Sequence, residues 1–325
     1  MGEAAAHPSW RVPRQKSMPT LLSGRRRTSV RAVQGQVPVS MEAAAPPLEG
    51  LRAEVDRIDQ EILDRLIERT AVVRRIGQIK NDGRNGRLAS RPGREAVILR
   101  RLATLAAGRF PTPVLVRMWR ELIGAQTRLQ TPLSAAVFVP GTALRIWDLA
   151  RDQFGSVTPM TRVESASQAV RSVSDGSAAV AVLPLPGDDD PWWLALIAEQ
   201  HDRLRVFARL PFVPYGPGDG EQSSALALGR IEPEPSGDDL ALLAIEAEGG
   251  VSRARLRDLL ATVGLEAVWL AVDRPASRPQ AIHLVEVSDF VSEGDQRLAE
   301  VRKAAKAEVL RIVPIGGYPR PLSSD

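Results

Sequence analysis

The chain has 325 residues, 44% of them hydrophobic and 25% charged, and a net charge of +4. That length suits about two domains. There is no cysteine, and the three histidines, His7, His201 and His283, sit far apart in unrelated contexts. Disulfides, zinc–thiolate centres and a cysteine nucleophile are thereby excluded, and neither a His-rich metal site nor a Ser-His-Asp machine is expected. No apolar run reaches the about 18 residues of a membrane span, so a cytoplasmic protein with no membrane partner is expected.

The basic balance is local. Arg11, Arg14, Lys16, Arg25, Arg26, Arg27 and Arg31 face the single acid Glu3 in residues 1–40, which leaves residues 41–325 slightly acidic. Phosphate-backbone binding needs a basic patch on the folded part, so no nucleic-acid partner is expected, with an RNA contact by Arg25–Arg27 as the alternative. Residues 1–46, rich in Ala, Pro, Ser, Arg and Gln without periodicity, read as a disordered segment. Their composition also resembles a transit peptide, but an over-extended start ahead of Met41 is the favoured reading.

From Leu48 the pattern changes. Leu51, Val55, Ile58, Ile62, Leu66, Val73, Ile76 and Ile79 recur at three- and four-residue steps with no interrupting proline, which predicts one long helix. At about 1.5 Å per residue it is about 50 Å long, more than a small domain covers, so it needs a partner helix, as from a second subunit. Asn81–Gly93 reads as a loop. Arg94–Ala107 is a second helix with Val97, Ile98, Leu102 and Leu105 on its stripe. A third opens at Pro111 and Pro113 and runs to Gln130, with Val114, Leu115, Met118, Leu122 and Leu129 apolar.

Beyond Pro132 the periods shorten. Ala135–Val139 and Ala178–Leu183 read as strands, with Ala143–Phe154 a helix between them. Trp192 and Trp193 follow three aspartates at a helix start and should pack in the core. Residues 213–237, full of Pro, Gly, Glu and Ser, read as a linker. Strands at Leu240–Glu246, Ala267–Val272, Ile282–Val287 and Val309–Ile315, with helices at Ser252–Val263 and Asp295–Ala305, make a β-α-β-β-α-β order, that of a ferredoxin-like unit.

On the long helix, Arg69 and Lys80 are 11 residues apart, about 20° after full turns, so both leave one face. Arg52 lies about 100° away and would serve a neighbouring subunit's pocket instead. By periodicity alone the favoured reading of these cations is ordinary solvated charges, as Arg57, Arg65, Arg74 and Arg75 are expected to be.

The residue pattern adds a resemblance. Leu51-Arg52-Ala53-Glu54-Val55-Asp56-Arg57-Ile58-Asp59, Leu66-Ile67-Glu68-Arg69, Ile76-Gly77-Gln78-Ile79-Lys80, Arg91-Pro92-Gly93-Arg94-Glu95 and Leu129-Gln130 together resemble the all-helical chorismate mutases, over about residues 48–131. The resemblance implies an intertwined homodimer of three-helix chains that converts chorismate to prephenate without a cofactor or metal. It implies that Arg52 reaches the partner's site, that Arg69 and Arg94 bind substrate, that Glu95 holds the substrate hydroxyl, and that Lys80 and Gln130 meet the ether oxygen. Gln126 stands at a substrate-contacting position where the family often has a small hydroxyl residue, and Arg91 where it often has an acid.

Farther on, Val137-Phe138-Val139-Pro140-Gly141, Asp152-Gln153-Phe154-Gly155 and Ala181-Val182-Leu183-Pro184 resemble a degraded prephenate dehydratase. Leu185-Pro186-Gly187 replaces that family's Glu-Asn-Ser, and Ser223-Ser224-Ala225 stands where its Thr-Arg-Phe belongs, so dehydratase activity is expected to be lost. Val272-Asp273-Arg274-Pro275 and Gly316-Gly317-Tyr318-Pro319-Arg320 resemble an ACT domain, which implies an L-phenylalanine effector; the first helical turn, Gly249-Gly250-Val251-Ser252, departs from that pattern. The expected organisation is therefore multidomain: 1–46 disordered, 47–131 an all-α chorismate mutase domain, 132–212 an α/β dehydratase-like remnant, 213–237 a linker and 238–325 a ferredoxin-like βαββαβ ACT domain. The competing reading is an amino-acid sensor that keeps the helices only to dimerise.

Overall fold

A computed structural model describes residues 48–80, 88–141, 144–188, 190–197, 204–214, 224–275, 277 and 279–323. The basic segment 1–46 and the loop 81–87 lie outside the described residues, as does His201. The chain divides into two compact units, Met1–Ile58 and Asp59–Asp325, with the cut inside the first helix.

Helix α1 spans Leu48–Lys80, α2 Pro92–Ala106 and α3 Thr112–Arg128. In the first unit the described part of α1 is exposed, Leu51, Val55 and Ile58 included. In the second unit Ile62, Leu66, Ile76 and Ile79 are exposed in turn. The stripe that the periodicity marked as a packing face is thus uncovered in the single chain. Pro92 and Pro113 sit in the first turns of α2 and α3, where no helical N–H is lost.

The buried face of α3 is only in part the one expected, with Leu115 buried as foreseen. Val114, Met118 and Leu129 are exposed, whereas Val116, Arg120, Gly124 and Thr127 are buried. The reason is the close approach of α4 (Arg145–Phe154). A Cβ on Gly124 would clash with the Phe154 carbonyl, so only glycine lets the two helices pack at this distance.

Among the described residues, the strands that follow form one sheet of nine in the order β2-β1-β3-β5-β4-β9-β6-β8-β7. Its first part holds β1 (Ala135–Phe138), β2 (Met160–Val163), β3 (Val180–Pro184), β4 (Leu204–Leu210) and β5 (Ala225–Arg230). β1 runs parallel to β2 and β3, and β5 runs antiparallel to β3 and β4. Along β1, Ala135 and Val137 face α4 while Ala136 faces the opposite cluster, with α5 (Ala166–Ser174), Trp192 and Trp193. This is the two-residue alternation of a strand covered on both sides. Both tryptophans are buried, as expected, in a 3-10 turn over Trp192–Leu196.

The second part comprises β6 (Asp239–Glu248), α6 (Arg253–Ala261), β7 (Ala267–Asp273), β8 (Gln280–Ser288), α7 (Gln296–Ala305) and β9 (Val309–Pro319). β6 pairs antiparallel with β8 and β9, and β7 with β8. Both helices cover one face through Leu256, Leu259, Leu260, Leu298 and Val301. The two parts join where Val206 of β4 pairs with Gly316 of β9. Gly316 has φ +140°, and a side chain there would strike the Val206 backbone, so the joint admits only glycine.

β5 corrects the linker expectation for 213–237, since it lies inside that stretch and pairs on both sides. Ala225-Leu226-Ala227-Leu228 is apolar but short and not β-branched, so its strand character comes from its neighbours. β2, α5 and β4 were also not foreseen.

Candidate active site

Arg69 leaves α1 half-buried, and its Nη1 is enclosed without a hydrogen-bond partner. Burial holds its pKa below the ordinary guanidinium value, yet arginine stays charged in proteins. An enclosed cation with an unmet donor costs free energy that a bound anion would recover.

One helical step on, Thr70 Oγ1 donates to the Leu66 carbonyl at 2.8 Å and accepts from Gln126 Nε2 at 3.2 Å. Gln126 is 4% exposed, so its amide is spent on α1. Two turns farther along the same face, Gly77 is buried against Gln130, and a Cβ on Gly77 would stand 3.0 Å from Gln130 Cγ. Gln130 follows the end of α3, where its backbone N–H donates to Thr127 at 2.9 Å. The helix was expected to include Gln130; it stops at Arg128, and Gln130 sits in the turn beyond. Lys80 ends α1; its side chain lies outside the described residues.

Glu95 lies in the first turn of α2, near the positive end of the helix dipole. Its Oε1 accepts from Ser90 Oγ at 2.7 Å and from the Arg91 N–H at 3.1 Å. Its Oε2 accepts from Arg120 Nη1 at 2.8 Å. Both side chains of this pair are largely buried, at 8% and 12% exposure. Arg120 also stands over the Phe212 ring, 5.4 Å from its centroid.

Two further arginines of the expected set face outward in the single chain. Arg94 is exposed, and the backbone N–H of Arg94 donates to Glu234 Oε1 at 3.2 Å. Arg52 is exposed and pairs with Glu49 on its own helix at 2.6 Å. Arg91, at the acid position, clamps Glu234 through Nε at 3.0 Å and Nη2 at 2.5 Å.

Sequence reasoning missed Arg120, Glu234 and Phe212. For Arg120 a signal existed: it stands in the stripe Val116, Arg120, Gly124, Thr127, four and three residues apart, where a charge is out of place unless paired. Glu234 and Phe212 lie more than 80 residues from the helices they touch, and nothing local marks them.

Comparison with known proteins follows this geometry. Residues 51–131 match the family described as chorismate mutase type II. The bifunctional chorismate mutase/prephenate dehydratase of Aquifex aeolicus is 38% identical over 95 residues, 29% of this chain and 26% of that protein. That of Pseudomonas aeruginosa is 26% identical over 142 residues, 42% of this chain and 38% of that protein. The chain therefore spans well under half the length of these relatives in the matched regions. Among solved structures, the prephenate dehydratase of Arthrobacter aurescens in complex with L-Phe overlays with a TM-score of 0.41 at 11% identity, covering 57% of this chain and 90% of that one. The prephenate dehydratase of Streptococcus mutans overlays at 0.39 and 10% identity, over 57% and 97%. The chain thus carries a helical chorismate mutase type II domain over residues 51–131, followed by a mixed α/β region.

Proposed function

We propose that this protein is a chorismate mutase that rearranges chorismate to prephenate, in aromatic amino-acid biosynthesis, as a homodimer. The match of residues 51–131 to that family carries the reading. The enclosed, unpartnered Nη1 of Arg69 supports it, because it is a donor waiting for an anion at the position where the family binds a substrate carboxylate.

The chemistry asks for little else. Chorismate is a dianion, and its rearrangement is one concerted step without proton transfer or nucleophile. A catalyst must hold both carboxylates in the compact reactive conformer, which removes entropy from the barrier. Arg69 and Arg94, with Arg52 contributed by the other protomer, are the forks for that task. Charge grows on the ether oxygen as its bond breaks, and Lys80 and Gln130 are the donors that would meet it. Glu95 accepts the substrate hydroxyl, and Gln126 buttresses α1 beside Arg69.

The dimer is supported by the uncovered apolar residues of α1, joined by Val97, Leu105, Val114 and Met118. A water-facing stripe of this extent marks an interaction surface, and a second copy of the same helices complements it.

Dehydratase chemistry is absent in this reading. Asp188, directly after the Leu185-Pro186-Gly187 that replaces Glu-Asn-Ser, spends its Oδ1 on the Val272 N–H at 2.7 Å, and Ala225 is buried in β5. Residues 238–325 act as an ACT domain that binds L-phenylalanine. The β6-α6-β7-β8-α7-β9 order, with neighbours β9-β6-β8-β7, supports that assignment.

The test is chorismate turnover by the purified full chain. Conversion to prephenate that is lost in Lys80→Ala and Arg69→Ala upholds the proposal. A folded wild-type dimer without turnover overturns it in favour of a sensor.

A further inference from the structure

The carboxylate of Glu95 offers about four acceptor positions. Three are filled: two on Oε1, by Ser90 and the Arg91 N–H, and one on Oε2, by Arg120. Among the described residues one acceptor position remains without a donor, on Oε2, the oxygen that Arg120 holds. Ser90 and Arg91 hold only the other oxygen.

Arg120 is itself held from outside the helices. It stands over the Phe212 ring, and Arg100 of α2 approaches the same ring at 6.0 Å. Phe212 follows β4 and is buried with Ala96, Leu99, Val116 and Val213 in the seam between α2 and α3. Its carbonyl accepts from the Leu322 N–H at 2.8 Å. Arg100 ties α2 to the same region through Ser236 Oγ at 3.0 Å, the Asp238 carbonyl at 2.7 Å and the Arg320 carbonyl at 3.0 Å. An arginine on an aromatic face keeps its plane and so keeps the line of its hydrogen bonds.

We infer that Arg120, backed by the Phe212 ring, is a positioning residue that aims the remaining acceptor of Glu95 at the substrate hydroxyl, which makes the rearrangement depend on the α/β region. The inference rests on the mutase reading above. Arg120 touches no reacting atom; it acts through Glu95.

The experiment is a double-mutant cycle in the full chain, with kcat and KM for chorismate measured for wild type, Arg120→Met, Glu95→Gln and the double variant. Arg120→Met should lower kcat/KM tenfold or more, by about that order. In the Glu95→Gln background the same substitution should cost less than about threefold, because the group it aims is already altered. Arg120→Lys should fall between, since it keeps the charge without the planar fork. Phe212→Leu should lose a smaller factor, again only while Glu95 is present. If Arg120→Met fails to fold, Arg120→Lys, Phe212→Leu and the double variant, which buries no unpaired charge, still decide the matter. Equal losses in both backgrounds, or an unaffected Arg120→Lys and Phe212→Leu in an active protein, overturn the inference alone. A wild-type chain that does not convert chorismate overturns the mutase reading, and this inference with it.

Discussion

Gly77 and Gln130 meet across the α1–α3 approach, with room for no side chain at 77 without moving the glutamine: an added Cβ would lie 3.0 Å from Gln130 Cγ. Gly77→Ala should therefore separate stability from activity. Alanine favours a helix interior by about 0.8–1 kcal/mol over glycine, which offsets the cost of displacing a flexible side chain. Thermal unfolding should shift by only a few degrees. Turnover of chorismate should fall by about tenfold or more, because a displaced Gln130 no longer reaches the ether oxygen. Unchanged kcat in this variant would remove Gln130 from the site.

The exposed stripe of α1 is expected to hold the dimer together. Ile62→Glu and Leu66→Asp each place a charge where an apolar partner surface belongs. Light scattering should show wild-type dimer and variant monomer, and turnover should vanish with the dimer if, as proposed, Arg52 of one protomer serves the other. A wild-type monomer at micromolar concentration that still converts chorismate would refute the shared site.

L-Phenylalanine is expected to stabilise the chain. A ligand that binds only the folded state at about ten times its Kd adds about 1.4 kcal/mol, which calorimetry detects as a rise in Tm. The absence of any shift at millimolar concentration would leave residues 238–325 a purely structural module.

His283 gives a pH signature. It lies 1% exposed on β8, and Nδ1 accepts from Trp269 Nε1 at 3.2 Å. Burial foremost, then the charges of Arg274 and Arg253, push its pKa from 6.5 to about 4. The folded value lies below the unfolded one, so the unfolded chain binds the proton first as pH falls. Stability from the neutral ring is complete above pH 6.5 and declines toward pH 4, by at most about 1.4 kcal/mol per pH unit. Urea unfolding of wild type and His283→Gln at pH 7 and pH 5 should show the decline in wild type and a smaller one in the variant. Parallel profiles would rule out His283 as the source.

The helical part was legible from residue order because its signals are local. The three- and four-residue steps of α1 need only neighbours along one helix, and the resemblance through Arg69, Lys80, Glu95 and Gln130 depends on spacing within about 80 residues. The β-α-β-β-α-β order after Asp239 was legible for the same reason: each element carries its own period. β5 was hidden because Ala-Leu-Ala-Leu has no strand preference until β3 and β4 flank it.

By itself, the order of amino acids marked the three helices of the first part and the side chains available to them, which follow from periodicity and residue inventory, while the dianionic substrate is what the resemblance to the chorismate mutases implies. Only the tertiary structure decided which arginine pairs with Glu95. Arg94 adjoins it in the chain, but consecutive helical side chains point about 100° apart, and the partner is Arg120, brought in by α3. It likewise decided that Phe212 and Glu234 reach α2. Contacts across more than a hundred residues form only when elements distant in the chain are folded together, and no local pattern encodes them.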